Sequence, residues 1–545
     1  MSKRTITLGA NIGHNGGCSL CVDGKIVATM QEERITRVKH GRGWLNSFYY
    51  CLNKANVNID EIDQFIFSHY KDINDPTFKK ELGILGVKET RVHILDHHLS
   101  HASAAYFTSP FNESLIFIYD AQGNNNDTES VYVARGTKIK LIAKNSTNNF
   151  EKGIVSTYQS FTAYFGWNQN DAGKTMGLAP YGDPKKYSGY NIFKKDPRGT
   201  YSNNFTSHTS EGVEQFCKNN GIDVPSKFMN NPMVYKNMAA WIQSEFERVI
   251  ISIVGEYQKK TGLKNLCLGG GGALNSVCNT KILRNRNFQK VHIFPAAGDS
   301  GQSVGNALWG YFTLCKNISE RQIWTSDYRN GEYKDCEILQ NLENISSMRD
   351  LVVPRSKKFS WIYNKNITIE AAELISLGKI VGWFQMGSEI GPRALGARSI
   401  LCDARIKNMK KILNDKVKHR EGFRPFACSV IRENQKEYFD LSLDSPFMLF
   451  VSKVKKNKIR KIPAVVHVDG TCRIQSITRK RNKIYYDLVK RYKDITGVPL
   501  ILNTSFNLAG EPIVETVFDA VRCFLSTRMD YLIIGNFLVF KKDKY

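Results

Sequence analysis

Apolar runs broken by glycine-rich bends recur along the chain at a spacing that predicts strands and hairpins. TITLGANIG, residues 5–13, is a mostly apolar strand ending in glycine, and CSLCVDG and KIVATMQEE then flank an Asp-Gly turn as a β-hairpin. A comparable unit returns at SLIFIYDAQG, where an apolar strand closes on Asp120, followed by a hairpin through SVYVARGTKIKLIAKN around Arg135 and Gly136. Between residues 233 and 254 the period changes. Val234, Met238, Trp241, Ile242, Phe246, Val249, Ile250 and Ile253 recur every three or four positions, which predicts one long amphipathic helix. It feeds a buried strand, NLCLGGGGALN, whose glycine loop precedes a helix, and FPAAGDSGQSVGNALWG repeats that strand, loop and helix order.

Two strand-Asp-Gly hairpins of this kind suggest the duplicated architecture of an actin-like ATPase. The two glycine loops above strand ends suggest a cradle for a nucleotide or acyl phosphate. Near VPRSKKFSWIYNKN, residues 353–366, the pattern turns polar, and the domain boundary is placed there: 1–358 as one domain, 359–545 as a second. The second reads as α/β: helix IEAAELISLG, strand KIVGWFQ, an Arg- and Gly-rich loop EIGPRALGARS, helix NMKKILNDKVK, and strands in PLILNTSFN and LIIGNFLVF.

Composition narrows the class. A chain of 545 residues that is 42% hydrophobic and 23% charged is an ordinary globular sequence with room for more than one core. The first residues lack the apolar core of a signal peptide, and no run approaches the ~20 apolar residues that cross a bilayer. A cytoplasmic protein with no membrane partner is the expectation. The twelve cysteines are scattered, most in apolar runs, as reduced structural thiols would be; the CxxC of Cys18 and Cys21 sits in a strand without a second ligand pair. A net charge of +25 could signal nucleic acid, an anionic membrane surface or phosphorylated small substrates. The runs Lys453 to Lys461 and Arg479 to Lys483 read as solvated loops.

Several constellations could carry chemistry. In DHHLSHASAA, His97 and His101 lie one helical turn apart on one face, with His98 pointing elsewhere. With Asp120 at a strand end and Asp299 in a glycine loop, they make a mixed N and O ligand set for a divalent iron, manganese or zinc. His14 and Asn15 follow Gly13 at a strand end. EERITRVKH, Glu32 to His40, continues an apolar strand with many charges and is expected to line a cleft. GKTMGLAPYGDP, around Lys174 and Met176, reads as a rigid loop able to hold a ligand near the metal. In the second domain Arg393, Arg398, Lys418, Arg420, Arg424 and Arg473 sit in apolar or glycine-rich context, with only Glu389, Glu421 and Asp469 nearby. Buried guanidinium forks without carboxylates predict phosphate ligands. The turn LNTSFN, with Asn503 and Ser505, adds amide and hydroxyl donors.

These segments together resemble the NodU/CmcH carbamoyltransferase family, which includes tobramycin-type enzymes. The matching pieces run through both domains: GHNGGCSL, EERITRVKH, DHHLSHASAA, GKTMGLAPYG, LGGGGALN, GDSGQS, IGPRALGARSIL, VKHREGFRPFA, HVDGTCRIQ and NTSFNLAGEPIV. The resemblance implies an actin-like (ASKHA) N-terminal domain similar to the threonylcarbamoyl-transfer enzyme TsaD and a YrdC-like C-terminal domain. It implies ATP, with Mg2+, and carbamoyl phosphate bound by Arg393, Lys418, Arg424, Arg473, Asn503 and Ser505, giving carbamoyl adenylate and pyrophosphate. It further implies Fe(II) held by His97, His101, Asp120 and Asp299, with Lys39, Gly271, Asn275 and Ser303 around the adenylate while a hydroxyl of a small molecule or glycan takes the carbamoyl group. His14 is the candidate base, with Lys39 beside it. The family commonly has His-Asp where this chain has His14-Asn15.

A tRNA threonylcarbamoylation-type enzyme is the nearest rival, given a pI of 9.4, but the sequence contains no recognisable RNA-binding module, so no nucleic acid partner is expected. A nonenzymatic actin-like scaffold would leave the arginines and the metal set without a purpose. A homodimer is compatible with this reading.

Overall fold

In the computed structural model of the chain, described for residues 4–68, 74–145, 152–195, 201–205, 209–285, 287–315, 321, 324, 328, 330–347 and 358–542, every residue of the first strand, β1 (Ile6–Asn11), is buried. A strand covered on both faces should be apolar and sit mid-sheet. β1 pairs antiparallel with β2 (Gly17–Val22), which pairs with β3 (Lys25–Gln31) through the Asp23-Gly24 turn; on its other side β1 runs parallel to β4 (Gln64–Ser68), which runs parallel to β5 (Val92–Ile94). The order is β3-β2-β1-β4-β5.

The second sheet repeats this plan. β6 (Glu113–Tyr119) pairs antiparallel with β7 (Glu129–Arg135), and β7 with β8 (Lys138–Asn145). A small ribbon, β9 (Phe193–Lys195) with β10 (Tyr201–Asn203), stands apart. β6 then runs parallel to β11 (Asn265–Gly269), and β11 to β12 (Lys290–Ile293), giving β8-β7-β6-β11-β12. Two sheets of one topology in sequence form the expected duplicated actin-like arrangement. Each sheet is followed by an equivalent helix, His97–Phe107 after β5 and Gln302–Trp309 after β12. These two helices pack together. At Gly305 a Cβ would come within 2.1 Å of the Ser100 carbonyl oxygen, so only glycine allows the approach.

The predicted long helix spans Lys236–Thr261, ended by Gly262 in the left-handed region. GKTMGLAPYG is not the expected loop. Ala172–Leu178 is helical, with Thr175, Gly177 and Leu178 buried, and packs against that long helix; tertiary burial overrides the local preference of its glycines.

The chain forms two compact units, Met1–Glu32 with His40–Trp324, and Glu33–Lys39 with Thr325–Tyr545. The second unit thus begins ahead of residue 359 and also takes a segment from EERITRVKH. One reason is helix Asp335–Ser347, which packs on helix Val517–Ser526. Another is Arg37, which donates to the carbonyls of Ile513 and Pro512 at 2.8 and 2.9 Å and lies 3.3 Å from Asp519. Of the expected polar connection, residues 353–357 lie outside the described residues and Phe359–Tyr363 is a strand.

The second unit is α/β, built on one mixed nine-stranded sheet. Its strands are β13 (Phe359–Tyr363), β14 (Val381–Phe384), β15 (Arg398–Cys402), β16 (Ala427–Ile431), β17 (Val451–Lys453), β18 (Thr471–Ile477), β19 (Leu500–Ser505), β20 (Tyr531–Ile534) and β21 (Phe537–Lys541). They are ordered β13-β21-β20-β14-β15-β19-β16-β18-β17. LNTS is therefore the end of β19 rather than a turn, paired on both sides with β15 and β16. Cys18 and Cys21 are both buried in β2, where burial raises both thiols, Cys21 to about 12. Among the described residues no helix is long and apolar enough to cross a membrane.

Candidate functional site

In the first unit, Asp96 caps helix His97–Phe107 by accepting from the Leu99 N–H at 2.9 Å. That fixes the first turn and points His97 and His101 to the same side, their Nε2 atoms 3.2 Å apart. Asp120 follows β6, and its Oδ2 is 3.0 Å from His101 Nε2 and 3.7 Å from His97 Nε2. Asp299, in the loop after β12, places Oδ1 3.3 and 3.5 Å from the same two nitrogens. One donor atom from each of the four residues lies within 4.8 Å of all the others.

Burial opposes charge on His101, yet its hydrogen bonds to Asp120 and Asp299 raise it to about 9. Burial and Asp299 push Asp120 up, but the two histidines hold it below the usual carboxylate range. Two buried carboxylates facing one point call for positive charge there, and two imidazoles with two carboxylates are a donor set that fits a divalent cation of the iron, manganese or zinc class. His98 is outside this group. Its Nδ1 meets Ser130 Oγ at 2.7 Å, and burial, then His97, drives it well below the ordinary histidine range.

The glycine loops build the walls. Gly271 N–H donates to Asp120 Oδ2 at 3.1 Å. Asn11, at the end of β1, donates to the carbonyls of His14 at 3.0 Å and Asp299 at 3.1 Å, which ties the His14 loop to the Asp299 loop. The His14 ring lies 5.2 Å from that of His40, whose Nδ1 meets Asn15 Oδ1 at 2.8 Å. Asn275 caps helix Ser276–Arg284 through Cys278 N–H and exchanges hydrogen bonds with Gln243. Ser303 is buried and bonded to Ser19 Oγ at 2.8 Å. Lys39 is exposed and belongs to the second unit.

In EERITRVKH, the charged Glu32 and Arg34 are buried. Glu32 accepts from Ser47 N–H at 2.9 Å at the start of helix Leu45–Ala55, and Arg34 donates to the Gly391 carbonyl at 2.9 Å. These bonds inside each unit account for charges that directly follow an apolar strand.

In the second unit Arg393, Lys418, Arg420 and Arg473 are each lowered by burial first and by neighbouring cations, Arg424 among them. Arg393 is held well below its ordinary value by burial, then by Arg473 and Arg424. Burial and then Arg420 lower Lys418 to about 7, and burial lowers Arg473 to about 10. Lys418 Nζ donates to Asn507 Oδ1 at 2.9 Å and to the Ser505 carbonyl, and Ser505 Oγ donates to Asn507 Oδ1 at 2.7 Å. Asn503 is buried and donates to Ser429 Oγ and Gln475 Oε1 at 3.0 and 3.1 Å. The carboxylate of Glu421 stands 3.7 Å from Arg424. The Nε atoms of Arg393 and Arg473 are buried without a hydrogen-bond partner. Packed cations in this state are arranged for an anion with several acceptor oxygens.

Arg398 does not belong to that set. It donates to the Gln385, Met386 and Gly331 carbonyls at 2.7, 3.0 and 3.0 Å and lies 3.5 Å over the Phe384 ring. Glu389 likewise organises its own loop, accepting from the N–H groups of Leu395 and Ala397, both at 2.7 Å, and of Arg398 at 3.2 Å. Two further residues stand at the sites. Asn507 is one, two positions beyond Ser505. Gln302 is the other, and its spacing of three from Asp299 at the start of a helix was the available signal.

Residues 7–84 and 81–308 match the family model "Carbamoyltransferase N-terminus", and residues 372–541 match "Carbamoyltransferase C-terminus". The chain is 33% identical over 560 residues to nodulation protein NolNO of Sinorhizobium fredii, an alignment covering 97% of this chain and 79% of that protein. It is 34% identical over 455 residues to nodulation protein NolO of Bradyrhizobium diazoefficiens, covering 82% and 79%. To nodulation protein U of Sinorhizobium fredii it is 24% identical over 556 residues, covering 92% and 93%.

Proposed function

The chain belongs to the carbamoyltransferase family, and on that premise we propose that it is an ATP-dependent O-carbamoyltransferase working through carbamoyl adenylate. The observation that carries the activation step is the cluster of five cations in the second unit, for which the ion pair among the described residues is Arg424 with Glu421 at 3.7 Å. Arg393, Arg424 and Arg473 bind phosphate oxygens there, Lys418 adds a fourth positive charge, and Ser505 and Asn503 orient the ligand. Water hydrolyses carbamoyl phosphate to carbamate and inorganic phosphate, and the carbamate oxygen then attacks the α-phosphate of Mg2+-bound ATP, displacing pyrophosphate.

Transfer takes place at the group of His97, His101, Asp120 and Asp299. These residues hold a divalent ion, which we take to be Fe(II), and the ion when bound supplies Lewis-acid polarisation of the carbamoyl group. Gly271 holds Asp120 in place through its N–H. His14, fixed beside the Asp299 loop by Asn11, removes the proton of the acceptor hydroxyl as that oxygen attacks the carbamoyl carbon and AMP departs. The acceptor is a hydroxyl of a small molecule or glycan.

Purified protein given ATP and carbamoyl phosphate, singly and together, tests this. Pyrophosphate release that needs both substrates, with carbamoyl adenylate seen by mass spectrometry, is the expected result. Release from ATP alone would count against this activation route.

A further inference from the structure

Gln302 is fully buried, and its amide nitrogen lies against His97, His101 and Asp299. Its Nε2 lies 3.1 Å from both ring nitrogens of His97, 3.0 Å from His101 Nε2 and 3.3 Å from Asp299 Oδ1, while its Oε1 is buried without a hydrogen-bond partner. Half a turn about the last side-chain bond exchanges these two atoms and moves nothing else. The Oε1 would then stand at those same distances from the three donors.

Ligands ~2.1 Å from one ion and at right angles to each other lie about 3.0 Å apart. The amide position lies 3.0–3.3 Å from three of the four donors, whose own His–His and His–Asp separations run from 3.0 to 3.7 Å. Helix geometry explains it. Gln302 opens helix Gln302–Trp309 three residues after Asp299, opposite the helix that carries His97 and His101. We propose that Gln302 is a fifth ligand of the ion held by His97, His101, Asp120 and Asp299, contributing its amide oxygen.

This inference rests on the metal reading above and adds a neutral oxygen donor to it. The bound ion takes the place of the hydrogen bonds that the amide N–H groups make to the two imidazoles.

The test is titration of metal-free full-length protein with Co(II), following affinity by chelator competition and coordination by visible absorption. Gln302→Leu is expected to weaken Co(II) binding by about 10-fold or more and to intensify the visible bands as coordination number falls. Gln302→Glu, which keeps an oxygen at the same reach, is expected to stay within a few-fold of the parent. Equal affinity and spectrum for Gln302→Leu and the parent would overturn the assignment. So would equal losses in both variants, because a packing role predicts no rescue by glutamate. His101→Ala separates the two levels: parent-like binding in that variant would overturn the four-residue site itself.

Discussion

Gly271 donates its N–H to Asp120 Oδ2 over 3.1 Å, so the loop that closes β11 secures the carboxylate that closes β6. The neighbouring Gly270 makes the bend possible at φ +85°, with the Tyr119 carbonyl oxygen 2.3 Å from where a Cβ would lie. Left-handed backbone costs an ordinary residue about 1–2 kcal/mol even without such a clash. Gly270→Ala is expected to lower the melting midpoint by about 4 °C or more. It should weaken Co(II) binding along with it. A thermal scan and the Co(II) titration check both effects.

Arg473→Ala should abolish pyrophosphate release from ATP and carbamoyl phosphate. His101→Ala should leave that release within a few-fold of the parent and stop transfer to an acceptor. Loss of release in both variants to the same extent would defeat the assignment of activation and transfer to separate sites.

Lys418 gives a pH signature. Burial and Arg420 hold it at about 7, so at pH 8 the free protein carries it mostly neutral. A phosphate oxygen bound beside it favours the charged form, and binding must then draw a proton from solvent. Calorimetry of carbamoyl phosphate binding at pH 8, in two buffers of different ionisation enthalpy, should show uptake approaching one proton. That uptake should fade near pH 6 and be absent from Lys418→Met. Stability carries the same sign. Between pH 7 and the ordinary lysine value the unfolded chain binds the extra proton, so stability rises with pH across that window.

Two arginines only five residues apart should separate by readout. Arg398→Met removes donors to three carbonyls and is expected to cost at least about 2 kcal/mol by denaturant titration. Arg393→Met relieves crowding with Arg473 and Arg424, so its stability should hold or rise while phosphate binding is lost. Equal destabilisation by both would show Arg393 to be structural.

The sequence made some of this legible because the signals were local. HxxxH is a helical spacing, and an aspartate at a strand end or in a glycine loop is visible in a single segment, so His97, His101, Asp120 and Asp299 could be picked out together. Arg393 and Arg398 could not be told apart from their local context, and only the family resemblance singled out Arg393. Both sit in the same glycine-rich stretch, and what separates them is the position of carbonyls at Gln385, Met386 and Gly331. GKTMGLAPYG looked irregular because its helix depends on packing against Lys236–Thr261. The charges of Glu32, Arg34 and Arg37 suggested a cleft because their partners lie far along the chain, at Ser47, Gly391 and Pro512 to Asp519.

The membership of Glu33–Lys39 in the second unit governs how the chain can be cut and recombined. Arg37 reaches carbonyls at Pro512 and Ile513 that leave the ribosome more than four hundred residues later. A chimera that exchanges only the C-terminal portion between two relatives would pair one parent's Arg37 with the other parent's loop. Grafting the second unit intact requires moving two pieces of sequence, the short one embedded in the gene for the first unit.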